Sequence, residues 1–215
     1  MATDPAASRA RMIAGQIRAR DVRDPRVLDA MARVPREHFI PEPHRHEAYE
    51  DHPVPIGFGQ TISQPYIVGF MTEALRVEAS HRVLEVGTGC GYQTAVLAEL
   101  ARDVYSIEVL GELADRAGRT LGGLGYANVH IRTGDGHGGW PEHAPYDRIL
   151  VAAAAESVPA ALVDQLADTG VMVIPVGVSH QELRVLQRHG GRVDLLATLP
   201  VRFVPLVRRT VRARP

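Results

Sequence analysis

Short apolar runs alternate with helically spaced stretches along the middle of the chain. RVLEV (82–86), DVYSI (103–107), NVHIR (128–132), DRILVAA (147–153) and VMVIPV (171–176) read as strands, and residues 92–101, 110–121 and 158–168 read as the helices between them. This alternation predicts an α/β protein on a doubly wound, mostly parallel sheet with right-handed crossovers. The pattern then changes, because ELRVLQRHGGRVDLLATL reads as two strands around Gly190-Gly191, an antiparallel hairpin on the sheet edge. Upstream, Met12, Ile13 and Ile17, then Val27, Leu28 and Met31, form two short amphipathic patterns with Asp24-Pro25 as a start signal, which predicts a small helical cap. Residues 49–66 shift to Pro, Gly and His and read as a long loop before a helix at 66–77, and long loops inside a compact domain are often functional. The expected organisation is one domain: a helical and loop region over 1–78, a binding core over 79–178, and a hairpin and tail over 179–215.

The first strand of that core runs into VLEVGTGCGYQ, with Glu85 just before a turn of Gly87, Thr88, Gly89, Cys90 and Gly91. Glycines there permit positive φ and let a ligand approach the backbone closely, and the following helix has free N–H groups at its start. A dinucleotide fingerprint, G-x-G-x-x-G, needs its third glycine where Tyr92 stands, so the pattern is not met. A second acid, Glu108, ends the next strand, where a ribose diol would lie. The order strand, Glu, glycine turn, helix, strand, Glu resembles the Rossmann-type S-adenosylmethionine-dependent methyltransferases. On the turn alone, a dinucleotide site and a plain strand-to-helix turn both stay open.

Composition narrows the classes. At 215 residues and 45% hydrophobic content the chain can build a sizeable core. The one cysteine excludes a disulfide framework or multi-cysteine metal site. A formal net charge of −1 supplies no basic field for nucleic acid, so no nucleic-acid partner is expected. The longest uncharged apolar runs, 149–155 and 171–178, are far too short to span a membrane, and the first twenty residues lack the apolar core of a secretory signal. A cytoplasmic monomer is the expectation. There is no lysine, which rules out lysine Schiff-base catalysis and a P-loop.

Three further segments, GQTISQPYIVGFMTEAL (59–75), TGDGHGGWPEHAPYDRILV (133–151) and VRFVPL (201–206), join VLEVGTGCGYQTAVLAEL in resembling the protein-L-isoaspartate O-methyltransferases, in the family's order over about 90% of the chain. The resemblance implies methyl transfer from S-adenosylmethionine to the α-carboxylate of L-isoaspartyl residues in damaged proteins and peptides. It also implies roles by matching motif. Glu85, Gly87, Thr88, Gly89 and Gly91 would bind the methionine and ribose side of the cofactor, Glu108 the ribose hydroxyls, and Asp135 with Gly136 the adenine. Ser63 with Thr61 would meet the methyl-accepting carboxylate. Two departures are Cys90, where the family commonly has Ser, and Ala152 to Ala155, where it commonly has Thr-Ala-Ala-Pro.

A carboxylate acceptor is already ionised at neutral pH, so the chemistry calls for aiming and desolvation, not for a general base. Ser63, before a helix that opens with Pro65, suits an anion, although it would equally serve as that helix's cap. Plainer roles exist for the acids as well: strand-end carboxylates for Glu85 and Glu108, and a turn residue for Asp135. His44, His46 and His52 read as a solvated loop and not a metal site, His137 and His143 as loop residues, and Cys90 as packing. Rival functions are a methyltransferase for one dedicated precursor peptide, a non-catalytic adenosine-nucleotide-binding module, and an NAD-dependent oxidoreductase.

Overall fold

The computed structural model describes residues 4–208. Five parallel strands form the core of one sheet: β3 (Arg82–Val86), β4 (Asp103–Glu108), β5 (Val129–Thr133), β6 (Tyr146–Val151) and β7 (Leu166–Val176). The antiparallel hairpin β8 (Gln181–His189) and β9 (Arg192–Val201) completes it, in the order β5-β4-β3-β6-β7-β8-β9. Gly190 and Gly191 both take positive φ in the hairpin turn, the conformation a two-residue connection of this hand requires.

Strand alternation explains why the sheet is covered on both faces. Leu84 and Val86 of β3, Ile149 and Val151 of β6 and Met172 and Ile174 of β7 pack in one buried cluster, while Val83, Leu150, Val171 and Val173 pack in another. The chain enters at β3, moves outward to β5, then returns to β6 on the other side of β3. This reversal places the ligand crevice beyond the carboxyl ends of β3, β4 and β6.

The helices are α1 (Pro5–Met12), α2 (Pro25–Arg33), α3 (Pro65–Leu75), α4 (Tyr92–Ala98), α5 (Gly111–Gly123) and α6 (Ala160–Gln165). Asp24 caps α2 by accepting from the Arg26 amide at 2.9 Å, with Pro25 at the first helical position. The last helix is shorter than its pattern suggests because pairing of Leu166 with Tyr146 already begins β7.

The region over 49–66 differs from expectation. It holds a small hairpin, β1 (Val54–Gly57) and β2 (Gln60–Ile62), whose Val54, Ile56 and Ile62 point into the core while Pro55 and Thr61 face out. Phe58 and Gly59 turn the chain with positive φ. The hairpin carries Thr61 and Ser63 toward the carboxyl ends of β3 and β6.

Candidate functional site

At the predicted crevice lies a cavity of about 830 Å³, its open mouth included, a size suited to a small-molecule ligand. Its walls include the glycine turn with the start of α4, the end of β4, the β1–β2 hairpin with Ser63, Gly136, Ala152 with Ala153, and the tail over 204–207. A second, more open groove shares Thr61, Ser63, Ala152 and Val204 with it and continues along Pro53, Gln64 and Phe203. Ser63 therefore stands where this cavity meets a more open surface groove.

The turn is shaped by hydrogen bonds to β4. The Gly87 and Thr88 amides both donate to the Ile107 carbonyl, at 2.8 and 3.3 Å, and Gly87, Gly89 and Gly91 all have positive φ. Gly87, Thr88 and Gly89 line the cavity, and so does Gly136, where a Cβ would fall 2.3 Å from Val86 Cγ1. Gly91 lies behind the wall: a Cβ there would meet Leu121 Cδ1 at 3.0 Å and Ala117 at 3.3 Å, so this glycine lets α4 pack against α5.

Glu108 is held in the wall by two backbone donors, one for each oxygen: Gly89 N to Oε2 at 2.8 Å and Leu110 N to Oε1 at 3.0 Å. Each oxygen keeps a further acceptor position, which fits the two adjacent hydroxyls of a ribose. Glu85 is differently placed. It is fully buried below the cavity and off its wall, with Thr94 and Ser106 hydroxyls donating to Oε2 at 2.5 and 2.6 Å and, among the described residues, no partner for Oε1. Burial pushes its pKa up to about 7 against the opposing effect of those two hydroxyls. Ser106 also bonds Thr88 at 2.5 Å, so a chain of hydroxyls joins Glu85 to the cavity.

Asp135 accepts from the His137 amide at 2.9 Å and pairs with His137 Nδ1 at 2.8 Å, capping a turn beside the cavity while Gly136 forms the wall. Its partial burial would raise its pKa, but the His137 bonds hold it below the ordinary value. Ser63 does not cap α3; Gln64 occupies that position and turns its amide to Asp51, donating to Oδ1 at 2.8 Å. Ser63 Oγ has no hydrogen-bond partner among the described residues, and its carbonyl accepts from Arg36 Nη2 at 2.8 Å. Thr61 is exposed at the junction.

Ala152 and Ala153 line the cavity, and the Ala154 amide donates to the Val204 carbonyl at 2.8 Å while Leu206 N donates to Ala154 O at 2.7 Å. These bonds fix the tail as a wall, a role that local pattern did not assign to it. Gln93, Ile56 and Ile107 also line the cavity and were not singled out in the sequence. Cys90 is buried, and burial raises its thiol pKa. His44, His52 and His46 gather around Glu47 at 3.0, 3.7 and 3.8 Å. His143 stacks on Tyr105, outside the cavity, with ring centroids 4.3 Å apart.

Similarity to known proteins agrees with this geometry. The profile of the family described as protein-L-isoaspartate(D-aspartate) O-methyltransferase matches residues 7–211. A protein-L-isoaspartate O-methyltransferase of Synechococcus sp. (strain JA-2-3B'a(2-13)) is 55% identical over 215 residues, 96% of this chain and 88% of that one. A solved protein-L-isoaspartate O-methyltransferase superposes with a TM-score of 0.86 at 27% identity, covering 94% of this chain and 66% of that one. A Plasmodium falciparum structure of the same description, in complex with S-adenosyl-L-homocysteine, superposes with a TM-score of 0.80 at 25% identity, covering 94% of this chain and 99% of that one.

Proposed function

Because the chain belongs to the protein-L-isoaspartate(D-aspartate) O-methyltransferase family, we propose how its own residues carry out that family's reaction. The reaction moves the methyl group of S-adenosyl-L-methionine to the α-carboxylate of an L-isoaspartyl residue, the first step of repair. S-adenosylmethionine, when bound, supplies a methyl carbon made electrophilic by its sulfonium. Glu108, fixed by two amides, would take the ribose hydroxyls, and Gly87, Thr88 and Gly89 would let the ligand lie against the backbone. Gly136, where a Cβ would run into the Val86 side chain, would give the adenine a flat wall beside Asp135.

The observation that carries this reading is the junction at Ser63. The cavity that would take the methyl donor meets, at Thr61, Ser63, Ala152 and Val204, a more open groove that would take an extended peptide. The acceptor carboxylate, with a pKa of about 3–4, arrives ionised, so the chain has no proton to remove. The unpartnered Ser63 hydroxyl would donate to one carboxylate oxygen and Thr61 would flank it, holding the other oxygen toward the methyl group. Fixing that approach replaces a chance encounter and lowers the barrier by several kcal/mol, on the order of the best oriented intramolecular reactions. The methyl ester, unlike the carboxylate, offers methoxide as a leaving group. Attack by the neighbouring backbone nitrogen on the ester carbonyl then expels methanol and closes a succinimide, and hydrolysis returns a mixture of aspartyl and isoaspartyl product without further help from the chain.

We place this enzyme in the cytoplasm as a monomer, without nucleic-acid or membrane partners. The near-zero net charge supplies no field for nucleic acid, and among the described residues no helix is long and apolar enough to cross a membrane. The test is methyl transfer from labelled S-adenosylmethionine to an isoaspartyl peptide and to its aspartyl twin. Labelling of the isoaspartyl peptide alone is expected, and Ser63→Ala should lower its turnover about tenfold with cofactor affinity nearly unchanged. Labelling of neither peptide would point to a dedicated substrate, and a fully active Ser63→Ala would remove the hydroxyl from the mechanism.

A further inference from the structure

Arg36 is fully buried and heads the largest enclosed side chains of the molecule, on a single 3₁₀ turn over Arg36–Phe39. A buried guanidinium usually has a carboxylate beside it, since an uncompensated charge in the interior is costly. Among the described residues none lies within ion-pair distance of Arg36. Its Nε donates to the Ala48 carbonyl at 2.7 Å, its Nη2 donates to the Ser63 carbonyl at 2.8 Å, and Nη1 has no hydrogen-bond partner among the described residues. The guanidinium carbon sits 4.7 Å from the centre of the Tyr92 ring. Burial weakens its hold on the proton, yet an arginine stays charged at neutral pH.

The neighbours of this charge are the walls of the site. Ser63 and Tyr92 both line the cavity, as does Cys90, whose thiol is close enough to feel the guanidinium. Arg36 thus ties three segments together: the Ala48 turn, the Ser63 strand end and the start of α4. The anion that its position lacks among the described residues is the one the reaction brings. The isoaspartyl carboxylate is negative before methyl transfer and neutral as the ester afterwards.

We propose that Arg36 is a positioning residue for the methyl acceptor: it holds Ser63 by the backbone, and its unneutralised charge draws the anionic carboxylate to the junction while giving the neutral ester no such hold. This rests on the reading of Ser63 as the acceptor's partner. It assigns one buried side chain both the geometry of the junction and the preference for substrate over product.

The test uses the enzyme saturated with S-adenosylhomocysteine, titrated calorimetrically with an isoaspartyl peptide and with a twin bearing a carboxamide in place of the α-carboxylate. In Arg36→Met the preference for carboxylate should fall about tenfold, with S-adenosylhomocysteine affinity held within about twofold. Arg36→Lys keeps the charge and loses the fork that bridges two carbonyls, so it should retain the preference while kcat falls about tenfold. An Arg36→Met enzyme with undiminished preference overturns the proposal. Should that variant fail to fold, Arg36→Lys decides, because wild-type kcat in it would show that the fork positions nothing. Absence of any preference in the wild type would instead remove the acceptor carboxylate from this junction, a failure of the Ser63 reading that is told apart by the wild-type titration alone.

Discussion

Glu85, near the end of β3, and Glu108, at the end of β4, are carboxylates on adjacent strands with one glycine turn between them, yet they have different surroundings. Glu108 reaches the cavity wall and is held there by amides that leave its outer acceptor positions open. Glu85 faces inward, pairs in register with Ser106 of β4, and receives only hydroxyls, both on one oxygen. One acid is exposed to a ligand and the other is sealed under it. Position relative to the end of β3 decides this: β3 ends where Val86 pairs with Ile107, so Glu108, paired only with Thr133 of β5, lies beyond it, while Glu85, followed by Val86, is still inside the sheet.

The largest expected effect tests whether that difference separates their functions. Glu108→Ala should weaken S-adenosylhomocysteine binding about 100-fold, by removing charge-assisted hydrogen bonds on the order of 2–3 kcal/mol in total. Glu85→Gln, which keeps the shape and can still accept both hydroxyls, should change it by about twofold or less. Calorimetry on both variants decides the matter, and equal losses would mean that burial does not distinguish the two acids.

Much of this contrast lies outside what a sequence pattern conveys. The strands of the core were legible because both faces are buried, so runs such as RVLEV and VMVIPV stand out without needing alternation. The edge hairpin was legible through Gly190-Gly191. The β1–β2 hairpin was not, because its strands are three and four residues long and are interrupted by Pro55 and Gly57. Ser63, Thr61, Gly87, Thr88, Gly89, Glu108 and Gly136 do meet at one cavity, whereas Gly91 answers to packing on α5, and the choice between those uses depends on a neighbour some thirty residues away. The tail forms a wall through backbone pairing of Ala154 with Val204 and Leu206, a long-range contact that leaves no local periodicity.

The next effect is one of stability. Folding raises the Glu85 pKa from 4.5 to about 7. The folded protein therefore keeps a proton that the unfolded chain releases, and stability falls as pH rises between those two values and levels off above the higher one. The fall amounts to about 3 kcal/mol for a shift of this size. Denaturant unfolding at pH 5 and at pH 8 should show the wild type losing about 2–3 kcal/mol more across that interval than Glu85→Gln. Parallel stability curves for the two proteins would mean that Glu85 does not hold its proton into the neutral range.

The smallest effect probes how Glu85 is kept. Thr94 donates to Oε2 at 2.5 Å, and a hydroxyl donor favours the ionised form, so its removal should push the Glu85 pKa further up. Thr94→Val preserves the shape of a fully buried side chain while deleting that donor. Its destabilisation should then be greater at pH 8 than at pH 5 by about 1 kcal/mol, because only above about pH 7 does the folded protein bear the burden of an ionised Glu85. In a Glu85→Gln background the same substitution should cost the same at both pH values, since nothing at that position titrates. A double-mutant cycle measured at the two pH values isolates the coupling. A Thr94→Val cost that is equal at pH 5 and pH 8 in the wild-type background would show that the hydroxyl shapes packing alone, and that burial by itself sets the state of Glu85.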